Sequence, residues 1–149
     1  MAKIVNGWTL SIAFIALLVG IMIWNRSADI GPGMISRTGI HWHPHLSIKI
    51  RGQQVIIPLG VGLQPVENAI HIHDLDNIIH LEFSGVVRES NLRLENFFKV
   101  WGKSLTSECL VDTCIASGEK IRMLVNGIPN DTLGNYIMRD KDEIELILE

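Results

Sequence analysis

The chain has no acidic residue before Asp29, no histidine outside residues 41–80, and only two cysteines among its 149 residues. It also lacks a basic run, basic residues interleaved with aromatics, a low-complexity tract and an internal repeat at a solenoid period. The net charge is −3, and setting Lys3 aside leaves 16 Asp and Glu against 12 Lys and Arg, or −4, over the rest. Nucleic acid is therefore a poor partner. No H-E-x-x-H helix is present, nor a G-x-S-x-G elbow, a P-loop or a dinucleotide fingerprint. Without C-x-x-C, thiol oxidoreductase chemistry has little support. The length leaves room for one domain and one modest core.

The apolar material is concentrated at the head. Residues 8–24, WTLSIAFIALLVGIMIW, carry no charge, and 17 residues is the lower limit for a membrane-crossing helix. Trp8 and Trp24 would sit at the two interfaces, with Lys3 on one side and Arg26 and Asp29 on the other, which favours the N-terminus inside. A cleaved signal peptide is the competing reading. Ala28 is its best cleavage point, but Arg26 occupies a position where a small residue is wanted. Either reading exports the remainder. The organisation expected is a cytoplasmic tail at 1–7, a transmembrane helix at 8–24, an irregular tether at 25–40 rich in glycine and polar residues, and an extracytoplasmic domain at 41–149.

In the body, Trp42, Pro44, Leu46, Ile48 and Ile50 alternate with His41, His43, His45, Ser47 and Lys49, the period of two of a half-buried strand. Pro44 removes one donor and suggests an edge or an irregular strand start. Gly52 permits a turn into a second strand at 55–59, giving a hairpin. Ile70 and Ile72 alternate with His71 and His73; after the polar turn 74–77, Ile79, Leu81 and Phe83 alternate with His80 and Glu82. Leu94, Phe97, Phe98 and Trp101 recur at helical spacing, and Gly102 can end that helix. Asn126-Gly127 marks a turn after IRMLV, and DEIELILE reads as a last strand. The fold class expected is α+β: an N-terminal transmembrane helix, then a small mainly β domain with a β-grasp-like mixed sheet and one amphipathic helix.

All six histidines fall within 40 residues. Imidazole is the commonest neutral ligand for zinc and copper, and bonds of about 2.0–2.1 Å require the rings to converge. On a strand, side chains at i and i+2 leave one face about 6.5–7 Å apart, so two rings can close on one ion, whereas His41 and His45 would emerge about 13 Å apart. The site expected takes one or two of His41, His43 and His45 and completes itself with His71 and His73 if their strands are neighbours. Asp74, Asp76, His80 and Glu82 are candidates for a further ligand or for an acceptor that orients a ring. The plainer readings are solvent-facing histidines or a pH-responsive cluster. Copper and zinc both suit the donor set.

Cys109 and Cys114, in CLVDTC, are close enough to form a disulfide, with reduced thiols and soft metal ligands as alternatives. Asp140, Asp142 and Glu143 read as a solvated acidic turn. The triplets beginning at Asn25 and Asn130 match the glycosylation pattern without deciding anything.

Taken together, GIHWHPHLSIKIRGQQVIIPLGVGL, AIHIHDLDNIIHLEF, LENFFKVWGK, ECLVDTC and MLVNG followed by DKDEIELILE resemble a family of short, membrane-anchored, histidine-rich proteins of candidate-phylum bacteria and some archaea. The resemblance spans about residues 36–149 and is most specific in HWHPH and HIHD. Asn77 departs from it, standing where relatives are expected to have glycine. The last segment also loosely resembles β-grasp domains. The expectation is a membrane-tethered domain that binds copper or zinc through strand-borne histidines. Two alternatives stand beside it: a non-catalytic assembly module with an envelope protein partner, and a metal-dependent enzyme using Glu82 or Asp74 as general base.

Overall fold

Period-two runs, turn residues at their ends and one helical stretch account for the order of elements. The structure, a computed structural model, describes residues 7–28, 31 and 33–149, and within the first helix the side chains of residues 8 and 11–22. Two compact units, Met1–Pro32 and Gly33–Glu149, make up the chain. The first contributes α1, Gly7–Ala28.

Among the described residues no helix is long and apolar enough to cross a membrane. The transmembrane helix expected at 8–24 is corrected on that ground, and with it the single-pass, N-inside placement of an extracytoplasmic domain. The expectations for Lys3, Asp29 and the side chains of Trp24 and Arg26 lie outside the described residues. The tether is corrected too, because residues 25–28 belong to α1 and the second unit starts at Gly33 with a strand close behind.

The strands of the second unit are β1 (Met34–Ser36), β2 (Gly39–Trp42), β3 (His45–Ile50), β4 (Gln53–Gln54), β5 (Ile70–His71), β6 (His80–Ser84), β7 (Val87–Arg88), β8 (Ser104–Leu105), β9 (Cys109–Val111), β10 (Thr113–Cys114), β11 (Ile121–Val125), β12 (Ile128–Pro129) and β13 (Glu143–Leu148); α2 (Leu94–Trp101) lies between β7 and β8. The chain is mainly β with two α-helices, and the expected class does not stand because its N-terminal transmembrane helix is missing among the described residues. The largest sheet has the order β12-β11-β13-β3-β4. The C-terminal strand β13 lies at its centre, parallel to β3 and antiparallel to β11. Both hairpins close through paired positive φ, at Arg51 and Gly52 (50° and 79°) and at Asn126 and Gly127 (53° and 78°), as type I′ turns require. The second strand of the first hairpin is Gln53–Gln54 rather than 55–59.

Leu46 and Ile48 of β3, Ile144, Leu146 and Leu148 of β13, and Met123 and Val125 of β11 turn one sheet face into core. Leu94, Phe97 and Phe98 of α2 join the same core, and Gly102 ends the helix at φ 70°. β9 and β10 are cross-linked by a Cys109–Cys114 disulfide. That bond removes both thiols from any ligand set. A separate three-stranded sheet, β2-β6-β5, carries the histidines.

Candidate metal centre

β6 runs between β2 and β5 and pairs antiparallel with both. The register sets His41 opposite Glu82 and Trp42 opposite Leu81 on one side, and His71 opposite His80 and Ile70 opposite Leu81 on the other. Ile70 and Leu81 are buried in the core, with Trp42 packed against it. By the two-residue period, His41, His71, His80 and Glu82 share the other face. His43 and His73 follow two residues after His41 and His71. Sheet pairing thus brings the early and late histidine segments onto one surface.

His80 is the hub. Its ring centroid lies 3.9 Å from that of His73, 4.9 Å from His43, 5.4 Å from His71 and 6.4 Å from His41. Two trios, His41/His43/His80 and His71/His73/His80, each have one ring nitrogen per residue within 4.8 Å of the others, and in the mixed group Glu67/His71/Glu82 one carboxylate oxygen from each glutamate and a ring nitrogen of His71 lie within the same distance. A tetrahedral ion with bonds of about 2.0–2.1 Å sets its nitrogens about 3.3–3.4 Å apart. Rotamer adjustments in the exposed rings can supply that closure. These groups can hold a metal ion.

Several rings are already oriented. A backbone carbonyl and an ionised carboxylate only accept, so His71 donates its Nδ1–H to the Asn68 carbonyl (2.9 Å) and His73 donates its Nδ1–H to Asp74 Oδ2 (3.0 Å). Both arrangements leave Nε2 with its lone pair free. His41 Nε2 lies 2.9 Å from Glu82 Oε1, which leaves Nδ1 of that ring free. Fixing a ring's tautomer through its second nitrogen is how metal-ligating histidines are commonly held. Nδ1 of His80 is buried without a hydrogen-bond partner among the described residues, a state that costs about 1–3 kcal/mol unless something fills the bond. Burial, and then the neighbouring His73, His43 and His71, hold the His80 pKa below the ordinary imidazole value, against a smaller upward pull from Glu82. Its neutral, ligating form is favoured.

His71 departs from the wet-face expectation, since its side chain is only 2% exposed. The loop 60–68 lies along β5, with Gly60 donating to the Ile72 carbonyl and Ile72 donating to that of Val61. No alternation pattern signals such a cover.

His45 is the expected ligand that the structure takes elsewhere. Pro44 has no N–H to continue a ladder, the strand breaks there, and His45 opens β3 of the large sheet with its Nδ1 2.9 Å from Glu143 Oε2. Asp74 orients His73, and Glu82 stands beside His41 and within the Glu67/His71/Glu82 group. Asp76 Oδ1 accepts from the Ile78 N–H at 3.0 Å, a local turn bond. Glu67 was not expected and has no sequence signal beyond its charge.

The acidic turn before β13 is not merely solvated. Asp142 is buried and accepts from the Tyr136 hydroxyl (2.7 Å), the Arg139 N–H (2.7 Å) and the Asn126 amide (3.2 Å), while its carbonyl accepts from the His45 N–H (2.8 Å). Burial and this carboxylate push the Tyr136 hydroxyl pKa up. The turn so built presents Asp140, whose Oδ1 accepts the His43 N–H at 2.9 Å and stands 3.8 Å from His43 Nδ1. Comparison with protein-family models, curated proteins and solved structures gave no match, so the centre is interpreted from its own geometry.

Proposed function

We propose that this chain binds a transition metal, copper or zinc, through His80 together with His41, His43, His71 and His73. One observation carries the reading: imidazoles from two chain segments surround the buried ring of His80, whose Nδ1 has no hydrogen-bond partner among the described residues. Neutral imidazole nitrogens suit both ions, and the flanking carboxylates Asp74 and Glu82 supply the acceptors that such ligands use. A substrate cleft beside the cluster would favour an enzyme. One cleft of about 300 Å³ is lined by Lys120, Arg122, Met123, Pro129 and neighbours, and another of about 180 Å³ takes in His45, Ser47 and Glu143 but none of the clustered histidines.

The test is elemental analysis of the full chain after incubation with zinc(II) or copper(II) and desalting. Bound metal is expected. The double substitution His43→Ala with His73→Ala, at two part-exposed side chains, is expected to weaken binding by at least about a hundredfold, given that loss of a single supporting group alone costs about 10–100-fold. Metal content unchanged in the double variant overturns the reading.

A further inference from the structure

The five rings do not converge on one point. Among the described residues, no trio within 4.8 Å joins His41 or His43 to His71 or His73; each pair is joined only to His80. The pairs come from opposite sides, one from β2 and the turn after it, the other from β5 and the turn after that, with β6 between. An imidazole has two ring nitrogens on diverging edges, and either can bind a metal. Nδ1 of His80 is buried with no hydrogen-bond partner among the described residues, the Glu82 carboxylate standing 3.8 Å away.

We propose that the cluster is a two-ion centre in which His80 serves both ions, one nitrogen to each, with His41 and His43 completing one ion's protein ligands and His71 and His73 the other's. The proposal rests on the metal-binding reading and specifies its stoichiometry and bridge. Neutral imidazole carries one N–H and one lone pair. The first ion takes the lone pair. As the second N–metal bond forms, the N–H bond breaks, its electron pair passes to the new bond and the proton leaves to solvent, so neither ion changes oxidation state. The ligands fit divalent copper or zinc. Glu67 stands beside His71, and Glu82 reaches both His71 and His41, so carboxylates favour the added positive charge on both sides.

The experiment loads the full chain with excess copper(II) sulfate or zinc(II) sulfate, removes loose ions, and measures metal per chain. Two ions per chain are expected, and the two-copper form should show magnetic coupling in its paramagnetic resonance spectrum. His41→Ala with His43→Ala, and separately His73→Ala, should each bring the count to one and restore an uncoupled copper signal. These substitutions avoid the buried His71 and His80, so the fold should survive them. One ion in the unsubstituted chain overturns the two-ion centre and leaves metal binding standing. Two ions without coupling overturn the His80 bridge. No bound metal overturns the reading on which the proposal depends.

Discussion

Gly62 decides whether His71 can be covered. Its φ is +80°, and an added Cβ would meet the Ile70 carbonyl oxygen at 2.4 Å, Val100 Cγ1 at 3.0 Å and His71 Cβ at 3.1 Å. Gly60, two residues earlier, has the same hand (φ +81°) but open space around it. A non-glycine residue in the left-handed region costs about 1–3 kcal/mol, and that cost is common to both positions. Gly62→Ala is therefore expected to lower unfolding free energy by clearly more than Gly60→Ala, and to weaken metal binding because the loop must lift from His71. Denaturant unfolding of both variants, read beside their metal affinities, checks this; equal losses would show that the contact with β5 is unimportant. At this scale the sequence is informative about chemistry and poor about placement. The clustering of histidines pointed to the candidate centre, yet His71 is buried beside a loop that no periodicity reveals. His45 lies outside the cluster because the strand that carries His41 stops at Trp42 and the chain enters another sheet after Pro44.

Where elements meet, the turn 139–142 links the two sheets. It leads into β13 of the large sheet, and its Asp140 holds the backbone of His43 just past the end of β2. Asp140→Ala is expected to weaken metal binding about 10–100-fold, the range for groups that support a ligand. Its stability should change by no more than about 0.5 kcal/mol, as for an exposed side chain. Titration calorimetry with zinc, alongside thermal melts, separates the two effects. Unaltered affinity would mean the contact merely fastens the turn. α2, the Asn126-Gly127 turn and the last strand were legible because helical spacing, Asn-Gly and alternating Ile and Leu are local signals, whereas of the first hairpin only the turn at Gly52 was, its second strand being Gln53–Gln54. The division of residues 41–50 between two sheets was not, since the alternation runs unbroken through Pro44 and only long-range pairing with β6 and β13 separates the halves.

Metal binding should couple to folding of the whole second unit, because the ligands belong to segments that only the assembled β2-β6-β5 sheet brings together. The unfolded chain has no such preformed site, so an ion that binds the native form adds RT ln(1 + [L]/Kd), about 4 kcal/mol when free metal is a thousand times Kd. For a domain near this size, 1 kcal/mol moves the melting temperature by several degrees, and a rise of about 10–20 °C is expected on adding zinc at neutral pH. The sign with pH follows from the ligands. Imidazole must be neutral to bind, and His80 is held below the ordinary imidazole value, so the rise should be full at neutral pH and shrink as acidification carries His80 through that lowered value. A chelator should return the melt to its metal-free position. The His43→Ala, His73→Ala double variant should show no more than about a third of the shift at the same metal concentration, while its metal-free melting temperature stays close to the parent's because both side chains are part-exposed. An equal shift in parent and variant would mean that zinc stabilises the protein from somewhere other than this cluster.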